Sequence, residues 1–245
     1  MANMTWDIHE FVEIDSTNRW LADQSAEGAP SGLVAIAGLQ TAGRGRLGRS
    51  WTAPPNSGLL MSVLVRPEIP REQWHLLSLY LAVAAVETVR ALGVVVSLKW
   101  PNDLLAPGPD GEERKLAGIL AQGLQGANPA VVVGIGLNVV RPSELPDDVA
   151  ARGVWLDELV DAVPAPRQMA DPILARLGEL LHESVPQLLD RARQQCSTLG
   201  RDVRVEMADG DVLGKAVGIA DDGALLVDTG HDVRAFHAGD VVHLR

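Results

Sequence analysis

Apolar positions along this chain follow two rhythms, an alternating or continuous one that suits strands and a three-to-four-residue one that suits helices. Phe11 to Ile14 predicts a strand. Asp15 and Ser16 then offer capping oxygens to a short helix over Asn18 to Ser25, in which Trp20 and Leu21 are the apolar positions, and Gly28 to Gly32 ends it. Leu33 to Leu39 and Leu59 to Val65 predict strands, and between them Thr41 to Gly58 is rich in Gly, Arg and Pro with no apolar period, which predicts a long loop. Loops of that length are usually functional or disordered. From about Gln73 to Leu92 a helix is predicted, with Leu76, Leu77, Leu79, Val83, Val86 and Val89 on one face. Val94 to Leu98, Leu116 to Leu124 and Val131 to Val139 predict further strands, with the hairpin-like Gly-Pro-Asp-Gly-Glu-Glu ahead of the second.

Trp155 to Val163 reads as helix, as does Arg167 to Arg193, where Ile173, Leu174, Leu177, Leu180, Leu181, Leu188 and Leu189 keep helical spacing and Pro186 kinks or divides the run. After Cys196 the texture changes. Val203 to Met207, Val212 to Ile219, Ala224 to Val227, Val233 to Phe236 and Val241 to Leu244 are short β-rich runs separated by Asp-Gly, Asp-Asp-Gly, Gly-His-Asp and Ala-Gly-Asp, which predicts a small barrel. The boundary falls near residue 196, giving units of 1–195 and 196–245.

Composition narrows the classes of function. Hydrophobic residues make up 47% and charged residues 22%, and no apolar run approaches the ~20 residues of a membrane span, so a soluble protein is expected. The opening MANMTWDIHE lacks a basic start followed by an apolar stretch and does not read as a secretory signal. A single cysteine, Cys196, cannot form an intrachain disulfide, which fits a cytoplasmic location. The net charge of -11 disfavours long-range attraction to nucleic acid or anionic membranes, so any basic element must be local. Of 21 Lys and Arg residues only Lys99, Lys115 and Lys215 are lysines. Each of the three therefore merits a question, because a compact ammonium and a flat guanidinium do different chemistry.

The local basic element is Gly43-Arg44-Gly45-Arg46-Leu47-Gly48-Arg49, which satisfies G-x-G-x-x-G directly after a strand. A dinucleotide-binding turn would need a helix to begin at once, and the paired prolines of Ser-Trp-Thr-Ala-Pro-Pro forbid one. What remains is a loop of three arginines and three glycines, suited to a carboxylate and a phosphate together; a surface loop without function is an equal alternative on the motif alone. Lys99-Trp100-Pro101-Asn102-Asp103 by itself reads as a turn with a buried tryptophan, and Lys115 to Leu120 as an edge strand starting on a lysine. Gly134-Ile-Gly-Leu-Asn138 closes a run of valines, where glycines weaken a strand and point to close approach by a ligand or another backbone. The histidines are scattered without zinc-site spacing, and neither G-x-S-x-G nor a P-loop is present.

In order and spacing these pieces resemble the biotin protein ligase family over nearly the whole chain: Ser16-Thr17-Asn18, Gln40, the GRGRLGR loop with Trp51, KWPND at 99–103, KLAGIL at 115–120, GIGLN at 134–138 and a small C-terminal barrel. The resemblance implies an α+β fold, a mixed β-sheet catalytic domain with flanking helices of the class II synthetase/biotin-lipoate ligase type, followed by an SH3-like barrel. It implies that Ser16, Thr17, Asn18, Gln40, Arg44, Gly45, Arg46, Lys115 and Gly118 bind biotin. Arg44, Arg46, Trp51, Asn102, Asp103, Lys115 and Asn138 would bind ATP, and Lys115, Arg46 and Asp103 would be catalytic. No fixed metal ligands are implied; Mg²⁺ would arrive with ATP. One departure is Leu47, where family members often carry another arginine. None of the residues so implied lies in the barrel.

The implied reaction suits those residue types. Joining the biotin carboxylate to the α-phosphorus of ATP sets two anions against each other, and cations must offset the charge that develops. An acceptor lysine, with a free pKa of about 10.4, must then lose a proton to attack the acyl-adenylate, and Asp103 is the candidate to orient or accept from it. The expected partner is a biotin carboxyl carrier domain of a biotin-dependent carboxylase such as acetyl-CoA carboxylase, met by a monomer or weak homodimer. A lipoate- or octanoate-attaching enzyme is the neighbouring alternative, and a non-enzymatic binding module the alternative of another class. With only fifteen residues before Ser16, DNA-binding repression is not expected.

Overall fold

The computed structural model describes residues 4–126, 128–207 and 210–244. Residues 1–3, on which part of the reading of the N-terminus rests, and Asp209 of the Asp-Gly turn expected ahead of Val212 lie outside the described residues. Two sheets organise the chain. The larger has seven strands in the order β1 (Asp7–Phe11), β2 (Leu33–Ala37), β3 (Gly58–Val65), β7 (Ala130–Asn138), β6 (Glu113–Leu124), β5 (Asp103–Pro107) and β4 (Ser97–Lys99). Only β1 and β2 run parallel; every other neighbouring pair is antiparallel. Helices cover both faces, which is why β2 and β3 are buried along their whole length and read as continuous apolar runs.

On one face α1 (Thr17–Ala26) sets Leu21 against Leu33, Ala35, Leu64 and Val132. On the other lies the main core, built by α2 (Leu77–Ala91), α4 (Ala170–Leu180) and α5 (Val185–Gln195) on the sheet. Helix α2 is apolar nearly all round, as a helix sandwiched between a sheet and two further helices must be. Pro186 lies in the first turn of α5, where the missing amide costs nothing, and Ser184 with Gln187 forms the capping box ahead of it. The expected helix over 167–193 is thus two helices, divided where its proline sits.

Three other expectations are corrected. The first strand is Asp7–Phe11, not Phe11 to Ile14; Ile14 makes only an isolated bridge to Gln40. Val94 to Val96 is not strand, because the Arg90 guanidinium takes the Val96 carbonyl (3.0 and 2.8 Å), and β4 begins at Ser97. Trp155 to Val163 holds one 3-10 turn, Leu156–Glu158, since Asp157 is tied to the strand end instead: its amide donates to Val139 O (3.0 Å) and its carboxylate accepts from Arg141 N. Strand β5 and the short helix α3 (Asp147–Arg152) were not foreseen.

The second sheet has five antiparallel strands in the order β11 (Val233–Phe236), β10 (Leu225–Asp228), β9 (Val212–Ile219), β8 (Asp202–Glu206) and β12 (Asp240–His243). Its seam with the larger sheet is polar and specific. The Trp100 indole, 2% exposed, donates to Gly223 O at 3.0 Å, and its backbone amide donates to Thr198 Oγ1 at 3.1 Å. Thr198 Oγ1 also meets His243 Nε2 at 3.0 Å. Burial, then the nearby charges of Lys99 and Arg201, push the His243 imidazole down to about 4, so it is neutral at physiological pH and serves as a hydrogen-bonding part of the seam. Arg201 adds a two-pronged ion pair to Glu113 at the start of β6.

Candidate functional site

A cleft opens at the mixed sheet between α1, the arginine-rich loop and strands β5 to β7. Its floor is made where strand periodicity puts three glycines on one face: Gly134 and Gly136 alternate along β7 with the core residues Ile135 and Leu137, and Gly118 of β6 lies directly across from Gly136. The close approach that these glycines predict is made by side chains. A Cβ at Gly134 would stand 2.2 Å from Asn18 Oδ1, and one at Gly136 would stand 2.2 Å from Trp51 Cε2.

One end of the cleft is a buried polar network on α1 and its neighbours. Ser16 caps α1 and lines the cleft. The Thr17 amide donates to Gln40 Oε1 at 2.8 Å, Thr17 Oγ1 lies 2.6 Å from Ser62 Oγ, and Ser62 Oγ donates to Asn18 Oδ1 at 2.6 Å. Asn18 is 7% exposed, and its Nδ2 has no hydrogen-bond partner among the described residues.

Charge collects at the other end. Lys115 Nζ stands 2.7 Å from Asp103 Oδ1 and 5.5 Å from the centre of the Trp51 ring. The Asp103 oxygen is buried and makes no hydrogen bond in this contact, so the pair is held by charge without a directional bond. Arg46 Nη1 donates to Asn102 Oδ1 at 3.0 Å, while Asn102 Nδ2 donates to Ile119 O at 2.7 Å. Burial is the largest influence on the Arg46 guanidinium and lowers its pKa, opposed by the carboxylates of Asp240 and Asp103. Lys99, across the β4–β5 pairing from Asp103, is likewise lowered, first by burial.

The GRGRLGR segment is an ordered turn with its own hydrogen bonds. Gly45 N donates to Arg49 O (2.7 Å), Arg49 N to Arg46 O (3.1 Å) and Trp51 N to Gly43 O (3.0 Å), so Arg44, Arg46 and Trp51 are presented to one side. Leu47 occupies the left-handed region at φ 54 and is 72% exposed, so its side chain faces solvent.

Of the residues singled out from the sequence, Ser16, Thr17, Asn18, Gln40, Arg44, Gly45, Arg46, Trp51, Asn102, Asp103, Lys115 and Gly118 all line this cleft. Asn138 does not. Its amide donates to Lys115 O and Val154 O, both at 3.2 Å, which fixes the backbone that carries the lysine. Arg49, part of the arginine loop but given no role of its own, also lines the cleft, and the lining residues outside the sequence motifs include Ser62 and Asp240. The last lies in the barrel, where no site residue was assigned from the sequence: Asp240 pairs with Arg49, and the neighbouring Gly239 carbonyl accepts from Arg46 Nη1 at 3.4 Å. An exposed pair of this kind is worth about 0 to 1 kcal/mol, so Asp240→Asn should leave stability nearly unchanged yet free the turn. Trypsin should then cut after Arg46 or Arg49 about three to five times faster in the ligand-free variant than in the wild type. An unaltered digestion rate would show that the barrel does not hold the turn.

Residues 10–138 match the biotin/lipoate A/B protein ligase family, and residues 198–244 match the biotin protein ligase C-terminal domain. A biotin--[acetyl-CoA-carboxylase] ligase of Mycobacterium tuberculosis is 41% identical over 96% of this chain and 88% of its own length. The chain belongs to the biotin protein ligase family. The bifunctional ligase/repressor BirA of Bacillus subtilis is 30% identical over 93% of this chain and 71% of its own length. Among solved structures, the biotin protein ligase of Aquifex aeolicus in complex with biotin and ATP superposes with a TM-score of 0.82 at 27% identity, covering 98% of this chain and 99% of that one. The mixed sheet with a five-stranded C-terminal sheet is therefore the family's architecture. Among the described residues, no helix is long and apolar enough to cross a membrane.

Proposed function

We propose that this chain is an ATP-dependent biotin protein ligase that forms biotinyl-5'-AMP and passes the biotin to a lysine of a biotin carboxyl carrier domain. The observation that carries this reading is the polarity of the cleft: a buried, neutral hydrogen-bonding end at Ser16, Thr17, Asn18 and Gln40, and a cationic end at Arg46 and Lys115. A ureido head group suits the first end, and a carboxylate meeting a phosphate suits the second. In the first step a carboxylate oxygen attacks the α-phosphorus and pyrophosphate leaves, with Lys115 and Arg46 offsetting the charge on the oxygens. In the second, the acceptor amine attacks the carbonyl and AMP leaves, with Asp103 placed to receive the proton. Trp51 would pack against the nucleotide, with Asn102 and Arg44 beside it and Asn138 acting through the Lys115 backbone.

Mg²⁺ arriving with ATP would meet hard oxygen donors here, Asp103 first, whose buried Oδ1 lacks a hydrogen bond. When bound it would neutralise phosphate charge. Residues 1–195 would be the catalytic unit and 196–245 the barrel that braces the nucleotide end and receives the carrier domain, in a cytoplasmic protein acting as a monomer or weak homodimer without DNA.

Lipoate or octanoate is the competing substrate, since the matched family spans both chemistries. Neither an alkyl chain nor a dithiolane would satisfy the buried polar end, and polar groups left unpaired by an analogue cost a site heavily. Pyrophosphate release with ATP should therefore favour biotin over lipoate and octanoate by at least about a thousandfold in kcat/KM. Comparable rates with the three acids would refute the assignment to biotin.

A further inference from the structure

Lys99 is a cation that the reaction described so far does not use. It lies half-buried on β4, directly across the β4–β5 pairing from Asp103, so the two side chains share the face opposite to Leu98 and Leu104, which enter the core. The charged groups that act on it are Asp103, Lys115, Asp240 and Glu113, and it acts in turn on His243, which places it between the cationic end of the cleft and the seam with the barrel. It stands just outside the lining of the cleft, with Asp103 and Asp240 of that lining beside it.

Each of the three carboxylates already holds a cation of its own. Asp103 holds Lys115, Asp240 holds Arg49, and Glu113 takes the two-pronged pair from Arg201. Arg46 and Lys99 remain. Among the described residues the Arg46 guanidinium is bonded to the uncharged Asn102 Oδ1 and Gly239 O, and Lys99 Nζ has neither a hydrogen bond nor an ion pair. A partly buried cation has given up hydration, and without an anion nothing offsets that loss. The chain has 32 Asp and Glu residues against 21 Lys and Arg, so the lack of a partner is not a shortage of carboxylates. Two such cations at one end of a cleft suit anions that arrive with a ligand.

Direction assigns the anion. A transverse row crosses the sheet: Gly136 on β7, Gly118 on β6, Asp103 on β5 and Lys99 on β4 are paired in turn. Asn18 and the head-group end lie at β7, so the ligand carboxylate reaches the α-phosphorus from that side of the row. In-line transfer expels the leaving group on the opposite side. Lys99 stands there, two strand spacings or about 10 Å beyond Gly118. We infer that Lys99 binds the pyrophosphate end of ATP and holds it as it leaves. As the carboxylate oxygen bonds to the α-phosphorus, the bond to the bridging oxygen breaks, and its electron pair and charge go to the pyrophosphate that Lys99 receives. Lys115 and Arg46 meet the phosphate that stays with the biotin, whereas Lys99 meets only the part that departs. The inference rests on the reading of the cleft as an adenylate-forming site.

The reverse half-reaction isolates this role, because the full-length protein then makes ATP and biotin from supplied biotinyl-5'-AMP and pyrophosphate. In Lys99→Met the KM for pyrophosphate should rise about ten- to a hundredfold, the scale of one hydrogen bond to a charged group. Adenylate formation from ATP should fall by a larger factor than transfer of supplied adenylate to the carrier domain. Lys99→Arg keeps a cation suited to phosphate and should recover most of the KM. An unchanged KM, or an equal fall in adenylate formation and in transfer, would overturn the inference and leave Lys99 as part of the seam. Should Lys99→Met fail to fold, the wild-type protein decides. With three lysines in the chain, acetylation read by mass spectrometry resolves each one. Biotin with α,β-methylene-ATP, which cannot release pyrophosphate, should slow acetylation of Lys99 about tenfold at ten times its Kd, while biotin with AMP should not. Equal modification of Lys99 under both conditions overturns the inference. Wild-type protein that forms no adenylate from biotin and ATP would refute the ligase reading itself, a result separate from an active wild type with an unaffected Lys99 variant.

Discussion

Replacing Lys115 by arginine should reduce biotinyl-adenylate formation by about a hundred- to a thousandfold while the protein stays folded, although the charge is kept. The lysine stands between Asp103 and the Trp51 ring on the floor of the cleft, its Nζ 2.7 Å from Asp103 Oδ1. An ammonium is a point donor that can turn from that carboxylate to two ligand oxygens at once. A guanidinium is a flat fork, longer and broader, and beside it lies Gly118, where even an added Cβ would come within 3.0 Å of Lys115 Cε and 2.9 Å of Trp51 Cζ3. Space there is already taken. Arginine at 115 would also pair with Asp103 through two parallel bonds, a stronger tie than the present bent contact, and so would be slower to release it. The measurement is single-turnover formation of the adenylate from biotin and ATP, with thermal melting as the control. The pair is partly exposed, with side chains 37% and 22% accessible, so the melting temperature should barely move. A variant that formed adenylate at the wild-type rate would remove Lys115 from the bridging role.

Much of this fold was legible because burial writes itself into composition. Strands β3 and β7 are covered on both faces and spell out as Leu59 to Val65 and Val131 to Val139, within a residue of their observed limits. Helix α2 was legible for the same reason, whereas the half-exposed barrel strands were legible from the turn residues that separate them. Strand β5 was not, since Leu104, Leu105 and Ala106 between two prolines offer too short an apolar run to outweigh the Pro-Asn-Asp turn that precedes it. That turn and the buried Trp100 are both present, so the plain structural reading of KWPND and its place beside the cleft hold together. Edge strand β1 has one neighbour and alternates weakly, which left its limits four residues out at the start. The segment at 94–96 failed for a different reason: its carbonyl is held by an arginine six residues earlier, a contact no period records.

The cleft was legible as a set of motifs, and its unforeseen members share a physical reason. Ser62 is one hydroxyl inside an unbroken apolar strand, and Asp240 follows a turn glycine in a sheet that begins after the motifs have ended. Neither belongs to a cluster of polar residues in sequence. Both become visible only when α1 is laid on β3 and the barrel is folded against the arginine turn. Asn138 shows the converse, a motif residue whose polar atoms are engaged by the backbone of Lys115 and Val154.

The glycines of the floor give the second large effect, and it should appear as lost ligand binding without lost stability. In Gly136→Ala the new Cβ would stand 2.2 Å from Trp51 Cε2, 2.5 Å from Nε1 and 2.6 Å from Cζ2, so the Nε1–Cε2–Cζ2 edge of the indole must move by about an ångström. The backbone cannot yield, because β7 is paired on both sides, to β3 and to β6. Trp51 can, since it lies on an irregular segment and its Nε1 has no hydrogen-bond partner among the described residues to lose. Displaced upward, the ring would enter the space that the nucleotide needs beside Lys115. Overpacking of this kind costs about 1 to 3 kcal/mol, so the KM for ATP in pyrophosphate exchange should rise about ten- to a hundredfold, with a melting temperature close to wild type. A smaller ring should repair part of the damage: Gly136→Ala combined with Trp51→Leu should be less impaired than the product of the two single variants, a coupling that contact between the side chains requires. If Gly136→Ala kept the wild-type KM for ATP, the indole would have room that this packing denies it, and Trp51 would not be part of the nucleotide platform.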